Sequence, residues 1–350
     1  MPSLTIPDAP KYTPPSPTQE RLEYADLEII DLSQIGTPEG RAGLVEQVRK
    51  AMTTQGFFYV INHGYTSAQK DRIFDIADLT FTAVSPEEKQ LHTAKGIDTY
   101  DGYKPRQFWR IEPGVHDQVE HYNMNCDVSK RMHPGPLRPF VPEMQAFSNH
   151  NHYNVLYPLL RLLALGLELP EDTLTKQHDF DADGETSHEE QKTKNVWLKG
   201  HTDTGSVSIL WSQPIAALQI LSPDGKWRWL QHRENALVIN IGDALEFLSG
   251  GYYKATIHRV VQPPADQRDY DRVGVFYFAK PNDDIKLVPY VDSPVLQKVG
   301  VERRIDDADA PTMEQWRKGR AASYGRTDLK KTDKGTEEEY INGVLVKHYN

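Results

Sequence analysis

The residues predict an α+β chain: a double-stranded β-helix, or jelly roll, with an N-terminal helical region packed around it. Three features point there. Helical patterns with one apolar face fill the first half, and short β-rich runs punctuated by turn residues follow from about residue 196. Among those runs lie His201, Asp203 and His258, which neighbouring strands can bring to one mouth on rigid elements. At 350 residues the chain is long enough for one large catalytic domain or two smaller ones.

Residues 1–24 form a proline-containing arm with little expected structure of its own. Residues 25–180 are an α-rich region that opens on a short strand. Leu44, Val48 and Met52 then make one helical stripe, Gly56 stops that helix, and Phe57 to Ile61 reads as a buried strand. A second helix carries Ile73, Phe74, Ala77 and Phe81 on one face. Ser85, Pro86, Glu87 and Glu88 have the form of a helix start, with a cap, a proline and acids in the first turn. Residues 98–126 read as aromatic and irregular. Pro142 to Leu167 is a long helical stretch with Leu156, Leu160, Leu163 and Leu167 on its buried face and Pro158 placed to kink it.

Residues 181–195 read as an exposed, mobile polar loop: Ala182 is their one apolar residue, and no window alternates as a strand does. Residues 196–300 are the jelly-roll core, with strands expected at 206–211, 216–221, 227–231, 236–240, 245–248, 253–261 and 273–279. Ser222-Pro223-Asp224-Gly225 supplies a hairpin turn. Residues 301–350 are a polar segment with a helix near 312–322.

The composition is that of an ordinary soluble protein, 38% hydrophobic and 26% charged, and the net charge of −10 argues against a nucleic-acid partner. One cysteine, Cys126, suits a reducing compartment and reads as a small buried hydrophobe. The N-terminus lacks the basic and apolar regions of a secretory signal, and no stretch approaches the ~20 apolar residues of a membrane span. The expected setting is the cytoplasm, with a small-molecule substrate, no membrane and no obligate protein partner.

His201 and Asp203, two apart on an extended segment, point to one side. With His258 from a neighbouring strand they make two imidazoles and a carboxylate, the facial ligand set of non-haem Fe(II) oxygenases, which leaves positions open. Zinc in a structural site wants four ligands, which Cys126 does not complete; Mn or Co is not excluded by the donors alone. Arg272 opens an apolar run and can grip a carboxylate bidentately; Arg268 is its rival. Arg259 should face away from His258 and is structural. Phe108, Trp109, Tyr122, Trp211, Phe247 and Phe276 are candidate walls of a pocket for an apolar or aromatic molecule. Lys104 and Arg106 read equally as partners of an acidic substrate group and as solvated loop residues. His178 and His188 are expected in solvent.

The run QGFFYVINHGY at Gln55 to Tyr65, together with His201-Thr202-Asp203, His258 and Arg272, resembles the isopenicillin N synthase-like family of Fe(II)/2-oxoglutarate-dependent dioxygenases. The resemblance frames most of residues 25–300. It implies His201, Asp203 and His258 as iron ligands and Arg272 as partner of the distal carboxylate of 2-oxoglutarate. It leaves His63 outside the metal triad, in a structural role. It further implies an oxidoreductase consuming dioxygen and 2-oxoglutarate, releasing succinate and carbon dioxide, and hydroxylating, desaturating or cyclising a small organic compound, in a setting such as secondary metabolism.

The sequence departs from the family in two places. Arg272-Val273-Gly274 stands where the family commonly has Arg-x-Ser. The polar 181–195 stretch stands where a tyrosine-bearing strand is usual, so a core strand is expected to be missing, with an unpaired sheet edge beside 196–201, a wetter pocket and weak 2-oxoglutarate binding. Two alternatives therefore stay open: an Fe(II) oxidase of the same fold that does not use 2-oxoglutarate, and a non-catalytic jelly-roll binding protein.

Overall fold

The computed structural model describes residues 7–93, 102–108, 110–112, 115–180, 185–191, 196–323, 330–331 and 336–349. Strand β1 (Ile29–Asp31) leads into helix α1 (Pro38–Thr54), which Thr37 caps by accepting from the Gly40 amide. Leu44, Val48 and Met52 of α1 are buried as their spacing predicts. The chain leaves α1 through Gly56 at φ +66, where a Cβ would also strike the Thr256 hydroxyl, so only glycine fits. Strand β2 (Phe57–Ile61) follows. Helix α2 (Ser67–Thr82) begins with a reciprocal Thr66–Gln69 capping box, and α3 (Pro86–Leu91) with the Ser85 cap.

The next stretch is less irregular than its composition suggests. It holds β3 (Gly102–Lys104), a ribbon of β4 (Arg110–Glu112) and β5 (Val115–His116), and β6 (Val119–Asn125). Helix α4 (Val141–Asn149) runs through a π-helical segment, His150–Leu156, into α5 (Tyr157–Gly166). Pro158 is accommodated where the helix widens: the Tyr157 amide reaches back five residues to the His152 carbonyl.

Residues 185–191 are strand β7 (Glu185–Gln191), not the expected loop. They are followed by β8 (Val196–His201), β9 (Val207–Trp211), β10 (Leu218–Leu221), β11 (Trp227–Trp229) and β12 (Leu237–Ile241). The β10–β11 turn forms at Ser222–Gly225, with Gly225 at φ +78. A helix, α6 (Asp243–Leu248), stands in place of the strand expected at 245–248. An apolar run this short has no readable period, and it packs as one helical turn and a half. Then come β13 (His258–Val261), β14 (Arg272–Ala279), α7 (Pro294–Val299), α8 (Met313–Ser323), and, in the polar C-terminal segment, β15 (Lys330–Lys331), β16 (Thr336–Ile341) and β17 (Val344–Tyr349).

Among the described residues the strands form two large sheets. One runs β1-β2-β12-β9-β14-β7-β6-β3, the other β11-β10-β13-β8-β17-β16-β15. Strand β7 is central in the first, paired antiparallel with β14 (Arg272 opposite Gln191) and with β6 (Asn123 opposite Ser187). A ladder needs backbone donors and acceptors on both edges and no apolar side chain, so hydropathy could not reveal this strand. Nor is β8 left with an open edge: β13 flanks it on one side and Tyr349 of β17 pairs with Gly200 on the other.

The first sheet buries both faces. Phe58 and Val60, Ile209 and Trp211, Ile239 and Ile241, Val273, Val275 and Tyr277 pack against the helices. The intervening Phe57 and Tyr59, Leu210, Val238 and Phe276 pack toward the second sheet. Strands covered on both sides read as nearly continuous apolar runs, and the few polar residues within them mark the site.

Candidate active site

The register sets His258 directly opposite His201 on neighbouring strands. Their rings lie 4.4 Å apart between centroids. Asp203 follows on the turn after β8, and its Oδ1 sits 3.7 Å from His201 Nε2 and 3.5 Å from His258 Nε2. One donor atom from each residue falls within 4.8 Å of the others.

Hydrogen bonds behind the cluster set its direction. His201 Nδ1 lies 2.7 Å from the Lys199 carbonyl and His258 Nδ1 3.1 Å from the Thr256 carbonyl. A carbonyl can only accept, so each Nδ1 carries the proton and each Nε2 presents a lone pair. The second oxygen of Asp203 accepts from the Ser208 hydroxyl at 2.5 Å and from the Asn240 amide at 2.8 Å. This leaves Oδ1 turned to the imidazoles.

Burial, reinforced by the neighbouring His258, pushes His201 down to about 3; Asp203 and the Lys199 carbonyl oppose this only in part. Burial alone would raise Asp203, but the two histidines when protonated, His258 foremost, and the Ser208 hydroxyl hold it well below the usual carboxylate range. A neutral imidazole beside an ionised carboxylate is the protonation state a divalent cation requires. The residues therefore fit a metal with three protein donors on one face.

The turn that carries Asp203 is held by buried neighbours. The amides of Gly242, Asp243 and Ala244 donate to the carbonyls of Ser206, Asp203 and Gly205. A Cβ on Gly242 would lie 2.6 Å from the Asp203 carbonyl oxygen, so the close approach requires glycine. His178, expected in solvent, is instead 1% exposed, bonding the Leu174 carbonyl through Nδ1 and the Ser206 hydroxyl through Nε2. The side chain of His188 lies outside the described residues.

Arg272 is 3% exposed at the start of β14, whereas Arg268 is exposed in the preceding loop. Arg272, Gly274 and Phe276 share the face turned to the second sheet, where Phe276 packs. The position of the family's serine is filled by the Phe276 ring: a Cβ on Gly274 would sit 2.6 Å from it, so a side chain there requires the ring to move. Arg259 faces the other way, its guanidinium 4.0 Å from the Trp227 ring centroid.

Of the five candidate pocket residues that are described, the structure brings Phe276 alone to this interior, stacked on Phe278 at 5.6 Å. Trp211 lies on the helix-facing side of β9, its indole N–H donating to Asn151 at 3.0 Å. Phe247 sits on α6 against Trp316. Tyr122 packs on Tyr103 in the helix-facing core and bonds His133. Phe108 is 47% exposed, and Trp109 lies outside the described residues. Lys104 is buried in an ion pair with Asp117, and Arg106 lies 3.9 Å from Glu120, so both cations have acids beside them within the protein. His63 is buried and bonded to the Asn235 carbonyl, and Cys126 is buried against the Tyr277 hydroxyl. Ser208 and Asn240 are the site residues that sequence reasoning missed. Their signal was available, since each is a polar residue inside an otherwise apolar strand.

Comparison with known proteins agrees with this geometry. Residues 27–143 match the family of non-haem dioxygenase N-terminal regions described for morphine synthesis, and residues 176–281 match the 2OG-Fe(II) oxygenase superfamily. Flavanone 3-dioxygenase 2 of Oryza sativa subsp. japonica is 28% identical over 303 residues, covering 80% of this chain and 82% of that protein. Scopoletin 8-hydroxylase of Arabidopsis thaliana is 29% identical over 297 residues, covering 82% and 79%. The crystal structure of a full-length Neurospora crassa protein in complex with alpha-KG superposes with a TM-score of 0.73 at 21% identity, covering 85% of this chain and 96% of that one. With β7 present, a non-catalytic relic loses its structural support. The chain belongs to the 2-oxoglutarate- and Fe(II)-dependent oxygenase superfamily and is an enzyme that oxidises a small molecule at the expense of 2-oxoglutarate and dioxygen.

Proposed function

We propose that His201, Asp203 and His258 hold the iron and that Arg272 binds the distal carboxylate of 2-oxoglutarate. The observation that carries the first assignment is the pair of imidazoles whose Nδ1 protons are tied to backbone carbonyls, leaving both Nε2 atoms beside Asp203 Oδ1. The second rests on a buried guanidinium on the same sheet face as Phe276. The iron with its cosubstrate supplies the oxidising power, while this chain binds, orients and excludes water. Gly274 and the Phe276 ring make the wall beside Arg272 apolar, which strengthens its attraction for a carboxylate.

The substrate we propose is a small, largely apolar or aromatic organic molecule. Phe276 and Phe278 stack on the inner face, and the relatives' names speak of flavanone and scopoletin. The described helices include none long and apolar enough to cross a membrane. Cys126 is in no disulfide. The setting we propose is the cytoplasm, a reducing compartment that suits a chain with one cysteine.

An anaerobic titration tests the site. Wild-type protein given Fe(II) and then 2-oxoglutarate should develop the visible metal-to-ligand absorption band. Asp203→Ala should neither retain Fe(II) nor show the band. Undiminished iron binding by Asp203→Ala and His201→Ala would remove the metal assignment.

A further inference from the structure

The C-terminal segment reaches the candidate metal site through one buried side chain. Arg320, on α8, is 4% exposed. Its Nη2 donates to the Thr202 carbonyl at 2.8 Å, and its Nε lies 3.5 Å from the Thr204 hydroxyl and 3.8 Å from Asp243 Oδ2. Asp243 is itself fully buried. Its Oδ1 accepts from the Thr202 hydroxyl at 2.8 Å, and its amide donates to the Asp203 carbonyl at 2.7 Å. Arg304 completes the group, with Nη1 at 3.4 Å from Asp243 and 3.3 Å from Glu246, and Nη2 on the Leu345 carbonyl. Thus both carbonyls of the Thr202-Asp203 pair, and the Thr202 hydroxyl, are gripped by one buried arginine–aspartate unit.

We propose that Arg320 is a positioning residue for the metal carboxylate: acting through Thr202 and Asp243, it sets the turn that aims Asp203 at the two imidazoles. The inference rests on the metal reading above. Burying a guanidinium and a carboxylate is costly unless both are paired and hydrogen-bonded. Here the pairing is spent on the backbone of a two-residue turn, where its effect is geometric. Outer residues that orient metal ligands typically change affinity roughly 10- to 100-fold.

Three measurements on the full chain test this. The first is Mn(II) affinity of wild type, Arg320→Ala and Arg320→Lys. The second is the urea midpoint of each metal-free protein. The third is amide hydrogen exchange at Gly242, Asp243 and Ala244 without metal. Arg320→Ala should weaken Mn(II) roughly 10- to 100-fold and speed exchange at those three amides, with partial recovery in Arg320→Lys. Because Arg320→Ala removes one of the two arginines beside the buried Asp243, the double variant Arg320→Met/Asp243→Asn serves if the single variant does not fold. Leu44→Ala, a core truncation in α1, is the control for general loosening.

Metal affinity and exchange both unchanged in a folded Arg320 variant would overturn the proposal. So would an equal loss of affinity in Leu44→Ala at a matched urea midpoint. Wild type that fails to bind Mn(II) or Fe(II) at all would overturn the metal reading itself, and the two failures are told apart by that first titration.

Discussion

Alternate residues of the same strands build the two faces of the eight-stranded sheet, yet the faces do different work. On the helix-facing side, Val207, Ile209 and Trp211 of β9 and Val273, Val275 and Tyr277 of β14 join one continuous apolar core. On the side facing the second sheet, the same strands offer Ser208 and Leu210, then Arg272, Gly274 and Phe276. The first face supplies stability through area removed from water. The second accepts buried polar groups, each at a cost met by specific hydrogen bonds. A single register thus sets both, and a residue's parity on its strand decides whether replacing it harms folding or binding.

The largest contrast should come from Trp211. Trp211→Ala removes a fully buried indole from the helix-facing core and should cost about 3–5 kcal/mol of stability. In urea unfolding the midpoint should fall steeply, while protein that remains folded binds 2-oxoglutarate as wild type does. A large loss of cosubstrate affinity at unchanged stability would put Trp211 back in the pocket.

Arg272→Ala should do the reverse. Loss of one partner from a buried charge pair costs on the order of 2–5 kcal/mol, roughly 30- to several-thousand-fold in 2-oxoglutarate affinity. Calorimetric titration of the metal-loaded protein reads it directly. A large effect from Arg268→Ala with none from Arg272→Ala would name the other arginine.

Ser208→Ala and Asn240→Ala remove the hydrogen bonds that turn Asp203, without touching a proposed ligand. Each should weaken Mn(II) binding roughly 10-fold or more, with Asn240→Asp a useful contrast because it sets a second carboxylate beside the first. Equal metal affinity in all three would show that Asp203 is oriented by its backbone alone.

A smaller effect concerns pH and the helix-facing side. His152 and His178 are both pushed down to about 4, burial being the foremost cause in each. Their ordinary value is 6.5. Between those values the unfolded chain binds more protons than the folded one, so stability should fall as pH drops from about 6.5 to about 4 and level off below. Urea midpoints at pH 7 and 5 should differ less in His178→Gln than in wild type. An unchanged difference would mean His178 carries no part of the slope. Smallest of all, Arg268→Ala, exposed in its loop, should alter neither stability nor 2-oxoglutarate affinity measurably.

Much of this fold was legible because local rules and tertiary packing agree. The stripe of Leu44, Val48 and Met52, the Ser85 cap and the Ser222–Gly225 turn appear as their spacing and residue types require. His201 and His258 converge as neighbouring strands of a jelly roll allow, and Asp203 joins them from the turn after β8. Strand β7 was hidden because its pairing is a backbone property, and Glu185–Gln191 carries no alternation to betray it. Phe247 was misplaced because α6 is too short to show a helical period. Trp211 was set in the pocket because a strand buried on both faces reads as one apolar run; Ser208, its polar interruption, was the sign that the alternate positions face the site. Arg320 was beyond reach: its partner Thr202 is distant in sequence, and nothing local to α8 marks it.

The described part of the N-terminal arm, residues 7–24, has almost no regular structure but is stitched down at several points. Pro7 is held by Arg72, Tyr12 by Asp75 and the face of Phe74, Ser16 by Gln267, and Thr18 and Gln19 by Asp266. Gln267, 1% exposed in the loop that leads into Arg272, also ties that loop to the Ala216 amide. The two bonds to Asp266 are solvent-exposed and the other three only part-buried, and bonds this near the surface open below the global unfolding free energy. The arm and the 262–271 loop therefore form one weak cooperative unit laid over a strong one. On heating, cosubstrate affinity should be lost several degrees before the helices and sheets melt, so inactivation begins as a local peeling that cooling reverses.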